Sequence, residues 1–296
     1  MTLESASPDA AAYPPALEAD EQTSGAHARN RLVGTLLAVF AGGLGGLAYL
    51  GDARHWGVVP LAAGLFVVQT VLALAWPAAL DTRGQTGSFL IGVGASAVSD
   101  SLLAAQRSQG LRLVAAVGGL SLLAGLFQQL LRRPRPAVIG SLAATLSLVV
   151  LELATASPLA LRSVVARPGD AIAAGMFGLA AAALAGRFGD LVVRRPALAP
   201  HSSRGTLGTA LAIAAAAVAG AAWGNDRLPL RGQTIGLRVA VVAAVIGIVA
   251  DLALDVAADA ADLDERAGTA MIPLTVVLPI ALAGPAIYVA ARYLLG

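Results

Sequence analysis

The chain has 296 residues, of which 57% are apolar and 13% charged, with a formal charge of +2 and a mean hydropathy of +0.76. That balance lies far outside the range of soluble domains and identifies a membrane protein. Cysteine is absent, which excludes disulfides, thiolate metal sites and a cysteine nucleophile. The arginines stand between apolar segments rather than on one basic face, so no nucleic-acid partner is expected.

Residues 1–31, MTLESASPDAAAYPPALEADEQTSGAHARNR, are polar, acidic and rich in Ala, Pro and Ser. They read as a disordered cytoplasmic tail. A signal peptide would begin with positive charge and reach an apolar core quickly, which this segment does not. Residues 32–296 then form the membrane domain. Nine apolar stretches follow, near 32–50, 57–80, 87–105, 111–131, 137–160, 170–186, 205–223, 235–256 and 271–295. Each approaches the ~20 residues that a helix needs to cross about 30 Å of hydrocarbon, and the sixth is the shortest. The expected fold is therefore all-α, a polytopic integral membrane protein of about nine transmembrane helices. Trp56, Trp76, Trp223, Tyr49 and Tyr293 fall at stretch ends, where amphipathic rings settle.

With the tail inside, eleven arginines fall on inner segments and nine on outer ones, and the clusters RRPRP (132–136) and RFGDLVVRRP (187–196) are both inner. This predicts a multi-pass protein of the cell membrane with a cytoplasmic N-terminus. Small residues four apart, Gly42 and Gly46 in the first stretch and Gly208, Ala212 and Ala216 in the seventh, predict close helix approach. No repeat of 20–50 residues is visible.

Charges inside apolar stretches are costly and mark candidate sites. Asp100 and Glu152 lie at similar depths in the third and fifth stretches, about 20 Å from the inner ends. They are candidates for one outer-facing proton or cation relay, with Arg112 or Arg238 as counter-charge; local hydrogen bonding from Ser96, Ser99, Ser101, Thr145, Ser147 and Thr155 is the alternative. Asp251, Asp255 and Asp259 recur every four residues along one face of the eighth stretch, near its inner end. Asp251 reads as buried, whereas Asp259, Asp262, Asp264 and Glu265 read as the helix leaving the membrane. Gln128 and Gln129 precede RRPRP and read as a polar helix end near an inner headgroup region.

From residue 171 onward the order of motifs resembles the phosphatidate cytidylyltransferase (CDP-diacylglycerol synthase) family. LAAAALAGRFGDL (179–191) is similar to the family's helix ending in Gly-Arg, here Gly186 and Arg187, followed by Phe188 and Gly189. LAPHSSRGTLGTALA (198–212) resembles its Leu-Ala-Pro and Ser-Pro-Lys-Lys-Thr-Trp-Glu-Gly segment, with Arg204 left from the basic pair. ADLALD (250–255) stands where the family has Gly-Asp-Leu-x-Glu-Ser, and AGPAIYVAARYLL (283–295) has the character of its last helix. The departures are chemical: Thr206 and Leu207 replace Trp-Glu, Ala258 and Asp259 replace Lys-Arg, and the acidic and His-Gly segments that carry metal and substrate chemistry have no counterpart between Asp259 and Met271. Arg238, Gly247, Asp251 and Asp255 also match the latter part of a CDP-alcohol phosphotransferase motif, but Gln233, Thr234 and Leu237 stand where its first residues belong.

The resemblance implies a nine-helix fold and a lipid-headgroup or phosphate site at Arg187, Arg204, Asp251 and Asp255, with Asp251 as the one metal candidate and Mg²⁺ as cofactor if the site is catalytic. Nucleotidyl transfer to a lipid phosphate needs several metal ligands and cations. One matched carboxylate and one matched arginine fall short of that, so the expected function is noncatalytic, in binding membrane lipid or a membrane-protein partner, including a second copy of the chain. An Mg²⁺-dependent lipid nucleotidyl- or phosphotransferase, and a small-solute or proton-coupled transporter using Asp100 and Glu152, are the alternatives. His27, His55 and His201 are scattered, and no HExxH, Walker or GxSxG motif occurs.

Overall fold

The computed structural model describes residues 16–296 except 83, 106–110, 132–137, 193–203, 229–230 and 261–264. Among these residues nine helices are long and apolar enough to cross a membrane, and the protein is an all-α, multi-pass membrane protein. They are α1 (Ala16–Ala53), α2 (Val59–Ala79), α3 (Gln85–Ala105), α4 (Leu111–Leu131), α5 (Val138–Ala156), α6 (Pro168–Val192), α7 (Thr206–Gly224), α8 (Gly232–Ala260) and α9 (Glu265–Leu295), with a 3-10 segment, Ser157–Ser163, after α5. Successive helices alternate in direction. The face on which α1 begins is called proximal below, and the other distal.

Six of the nine expected stretches agree with their helices to within a few residues, and three differences are informative. α1 begins at Ala16, inside the segment expected to be disordered. Ala, Leu, Glu and Gln favour helix, and a turn continued from an existing helix escapes the nucleation cost. Residues 1–15 lie outside the described residues. α6 runs to Val192 rather than ending near 186, because Arg187 and Asp190 find partners inside the protein. α9 begins at Glu265 rather than near 271. The side chains of Asp259 and Glu265, and all of Asp262 and Asp264, lie outside the described residues, as do RRPRP, Arg194 and Arg195.

α6 is the most enclosed helix, packed against α1, α7, α8 and α9, while α9 also joins α2 and α5 to this group. Three prolines inside α9, Pro273, Pro279 and Pro285, each lack a backbone donor and are tolerated in a span whose neighbours surround it. The small-residue stripe Gly208, Ala212 and Ala216 is buried as expected. A Cβ at Gly189 would lie 2.7 Å from the Gly208 Cα, so α6 and α7 touch through backbone. The same device recurs where α7 crosses α8, at Gly220, Gly224, Gly232 and Gly236. Gly42 and Gly46 do not serve this way. A Cβ at Gly46 would meet nothing and one at Gly42 only the Ala180 methyl at 3.9 Å; the close approaches of α1 to α6 are at Gly34 and Gly45.

Candidate functional site

Near the proximal face, charges from α6, from α8 and from the residues just before α7 come together. The Arg187 Nη2 donates to both carboxylate oxygens of Asp251, at 2.8 and 2.9 Å, and the Arg204 Nε donates to Asp251 Oδ2 at 2.7 Å. Asp190, one turn from Arg187 on α6, accepts the Gly205 N–H at 2.8 Å, and its other oxygen lies 3.9 Å from Arg204 Nη1. Gly205 precedes the first residue of α7, so the Asp190 carboxylate takes over one of the backbone donors that a helix start leaves unsatisfied. All four side chains are buried. The sequence explains the fit: the charged groups stand on helices whose facing positions are glycine. A Cβ on Gly208 would run into the Asp190 carboxylate, and one on Gly186 would lie 2.5 Å from Arg204 Nη1. On the α1 side, a Cβ on Gly34 would sit 2.7 Å from Arg187 Cγ.

The resemblance-derived candidates thus converge: Arg187, Arg204 and Asp251 meet directly, and Asp255, half-buried one turn further along α8, is within electrostatic reach of Arg187. Asp190 and Gly34 complete the arrangement and had no sequence signal as site residues, although the acid within the "RFGDL" segment was visible as a charge at an apparent helix end. The donor set does not suit Mg²⁺. Both Asp251 oxygens already accept from guanidinium groups, and a divalent ion placed there would face two buried cations. An arginine pair held by a single carboxylate is instead suited to orient toward a phosphate or carboxylate.

An opening lies beside this network. A cleft of about 320 Å³ between α1 and α6 is lined by Arg31, Gly34, Thr35, Leu184, Arg187, Phe188 and Leu191. Arg31 is exposed at its mouth, and Leu184 and Phe188 are exposed along its side. The cleft therefore sets two arginines beside apolar residues, of which Leu184 lies deeper in the membrane span than Arg187 while Phe188 and Leu191 lie nearer the proximal face.

The second pair of candidates also comes together, in the distal half of the α2, α3 and α5 group. The Gln69 Nε2 donates to the Glu152 backbone oxygen at 3.0 Å and reaches Asp100 Oδ1 at 3.5 Å. The Ser96 hydroxyl, one turn before Asp100, donates to Glu152 Oε2 at 2.8 Å. Gln69 was not anticipated, because a lone amide in an apolar helix gives no pattern to follow. The site is buried rather than outer-facing, since Asp100 and Glu152 are almost wholly enclosed. Nor do the expected counter-charges reach it: Arg112 and Arg238 are exposed, and neither acid has an ion pair among the described residues. Of the nearby hydroxyls, Ser99 donates to the Ser96 carbonyl and Thr155 to Leu151, so Ser96 alone serves a carboxylate. Gln129 ties α4 to α5 through the Ser141 hydroxyl at 3.0 Å, and Gln128 lies over Gly87, so both act within the bundle.

Comparison with known protein families, curated proteins and solved structures finds no match for the chain.

Proposed function

We propose that the protein binds an anionic membrane lipid in the α1–α6 cleft, as a noncatalytic membrane protein whose proximal face is cytoplasmic. The observation that carries this reading is the composition of the cleft: the cations Arg31 and Arg187 together with the apolar Leu184, Phe188 and Leu191, of which Leu184 and Phe188 are exposed. A phosphate headgroup would lie against the arginines and an acyl chain against the exposed Leu184 and Phe188, a combination of cationic and exposed apolar groups that matches an amphiphile better than a water-soluble anion. The volume of about 320 Å³ suits a headgroup and the first part of a chain. Arg187 is fixed by Asp251, so its contribution needs no reorganisation on binding. The motif likeness of residues 171–296 to phosphatidate cytidylyltransferases supports the same reading, because Arg187, Arg204 and Asp251 lie within its matched segments. Native mass spectrometry of the purified protein tests it. Phosphatidic acid or phosphatidylglycerol should be retained in preference to phosphatidylcholine, and Arg31→Gln should reduce that retention several-fold. Equal retention of anionic and zwitterionic lipid would refute the proposal.

A further inference from the structure

Helices α2, α3 and α5 contain two ionisable side chains in all, Asp100 and Glu152, and both are acids. Each sits within a membrane span and is buried. Their oxygens are only partly satisfied. Glu152 Oε1, Asp100 Oδ2 and the Gln69 side-chain oxygen are buried and accept no hydrogen bond. Gln69 is itself completely buried, and its amide nitrogen reaches the Asp100 carboxylate and the Glu152 backbone carbonyl, which ties the two acid-bearing helices together.

These three unpartnered acceptors, two of them carboxylate oxygens, have one common deficiency: donors. Two ionised carboxylates withdrawn from water without a base cost several kcal/mol each. The neighbouring elements do not supply the compensation. On α4, Arg112 is exposed. On the 3-10 segment, Arg162 reaches the Ala104 carbonyl at 3.5 Å. On α9, Arg292 donates to the Tyr288 hydroxyl at 3.5 Å, and Tyr293 is exposed. On α1, Asp52 accepts the Gly169 N–H, Tyr49 lies under Arg227, and Arg31 lines the proximal cleft. A proton on either carboxyl removes one charge and turns one unpartnered acceptor into a donor.

On the distal side a cavity comes near the pair. A polar cavity of about 610 Å³ opens on that face, lined by Arg162 together with Asp52, His55, Arg167 and Asp170. The Arg162 contact with Ala104 brings its wall to within one helical turn, about 6 Å of rise, of Asp100.

We propose that Asp100 and Glu152, bridged by Gln69, form a proton-binding site that loads and unloads through the distal cavity. The site is separate from the proximal lipid cleft, and neither proposal depends on the other. A hydrophobic carbodiimide, which attacks protonated carboxyls in apolar surroundings, tests it on the full chain in oriented proteoliposomes, with the modified residue located by mass spectrometry. Glu152 or Asp100 should be modified, with a yield falling about tenfold per pH unit once the pair ionises. Raising the pH on the distal side alone should protect, and raising it on the proximal side alone should not. Absence of modification at any pH, a yield indifferent to pH, protection from the proximal side, or protection by Na⁺ or Mg²⁺ at constant pH would each overturn the proposal. The measurement uses the wild-type chain, so it does not depend on whether Asp100→Asn or Glu152→Gln folds. Where Glu152→Gln does fold, modification at Asp100 should be lost at lower pH than in the wild type, because the like charge that opposes its ionisation is gone.

Discussion

Replacing Asp251 by Asn removes one negative charge at nearly constant volume and leaves two guanidinium groups facing a neutral amide. The side chains of Arg187, Arg204 and Asp251 are 8%, 3% and 1% exposed, which decides the regime. Loss of one partner from a buried ion pair costs about 3–5 kcal/mol, whereas an exposed pair contributes about 0–1 kcal/mol. The Asn oxygen still accepts one guanidinium N–H, so a cost near the lower end, about 3 kcal/mol, is expected. At roughly 2–4 °C per kcal/mol for a domain of this size, the midpoint of thermal unfolding in detergent should fall by about 6–12 °C. The companion measurement is a double-mutant cycle with Arg187→Gln. Removing both charges relieves part of the penalty, so the double variant should be more stable than the sum of the single losses by about 1 kcal/mol or more. A loss under about 1 kcal/mol for Asp251→Asn, or strict additivity in the cycle, would show that water reaches the network and that its burial has been misread.

Gly34→Ala should destabilise by about 1–3 kcal/mol, because the added methyl meets an Arg187 stem whose far end is held by Asp251; Gly46→Ala, facing open space, should cost nothing, and thermal unfolding compares them. Gly208→Ala should disrupt the α6–α7 crossing, and Asp190→Asn should fail to rescue it, since the methyl would also meet the Gly186 carbonyl oxygen at 2.7 Å. Retention of anionic lipid should weaken between about 0.1 and 1 M salt, because Arg31 is exposed and its attraction is screened; titration of purified protein with lipid at the two ionic strengths measures this. The chain has no cysteine, so Thr82→Cys and Asp226→Cys can be introduced singly and treated with an impermeant maleimide. They should react from opposite sides of the membrane, Asp226→Cys in intact cells if the proximal face is cytoplasmic, and labelling of both from one side would refute the alternation of helices.

The nine spans were legible because length and continuous apolarity are what a bilayer demands, and neither depends on distant parts of the chain. The Gly208, Ala212 and Ala216 stripe was legible for a related reason: spacing fixes a helix face. Facing partners were not. Gly42 and Gly34 look alike in sequence, yet only Gly34 meets a side chain at close range, because the crossing point of α1 and α6 is set by both helices together. The end of α6 was misjudged at Gly186 for a physical reason. Arg187 reads as a membrane boundary if its charge must reach water, but Asp251, sixty-four positions later, receives it inside the protein. Asp100 and Glu152 were visible as anomalies, whereas Gln69 was not, since a neutral amide barely disturbs an apolar run.

The two buried clusters differ in whether they contain their own counter-charge, and that difference assigns them different chemistry. Asp251 and Asp190 face Arg187 and Arg204, so formal charge balances within the proximal network whatever the solution contains. Such a network has no need to exchange ions, and it fixes Arg187, whose side chain lines the cleft. Asp100 and Glu152 have no base on any of the three helices that carry them, so their neutralisation must come from outside. A group that must borrow a proton can also return it, and the energetic penalty of the empty state makes the exchange sensitive to conditions at the distal face. Lipid occupancy at the proximal site should accordingly follow ionic strength, and protonation of the distal pair should follow pH. A lipid-retention curve that moved with pH in step with carbodiimide modification of Glu152 would show instead that the two clusters are coupled through the bundle.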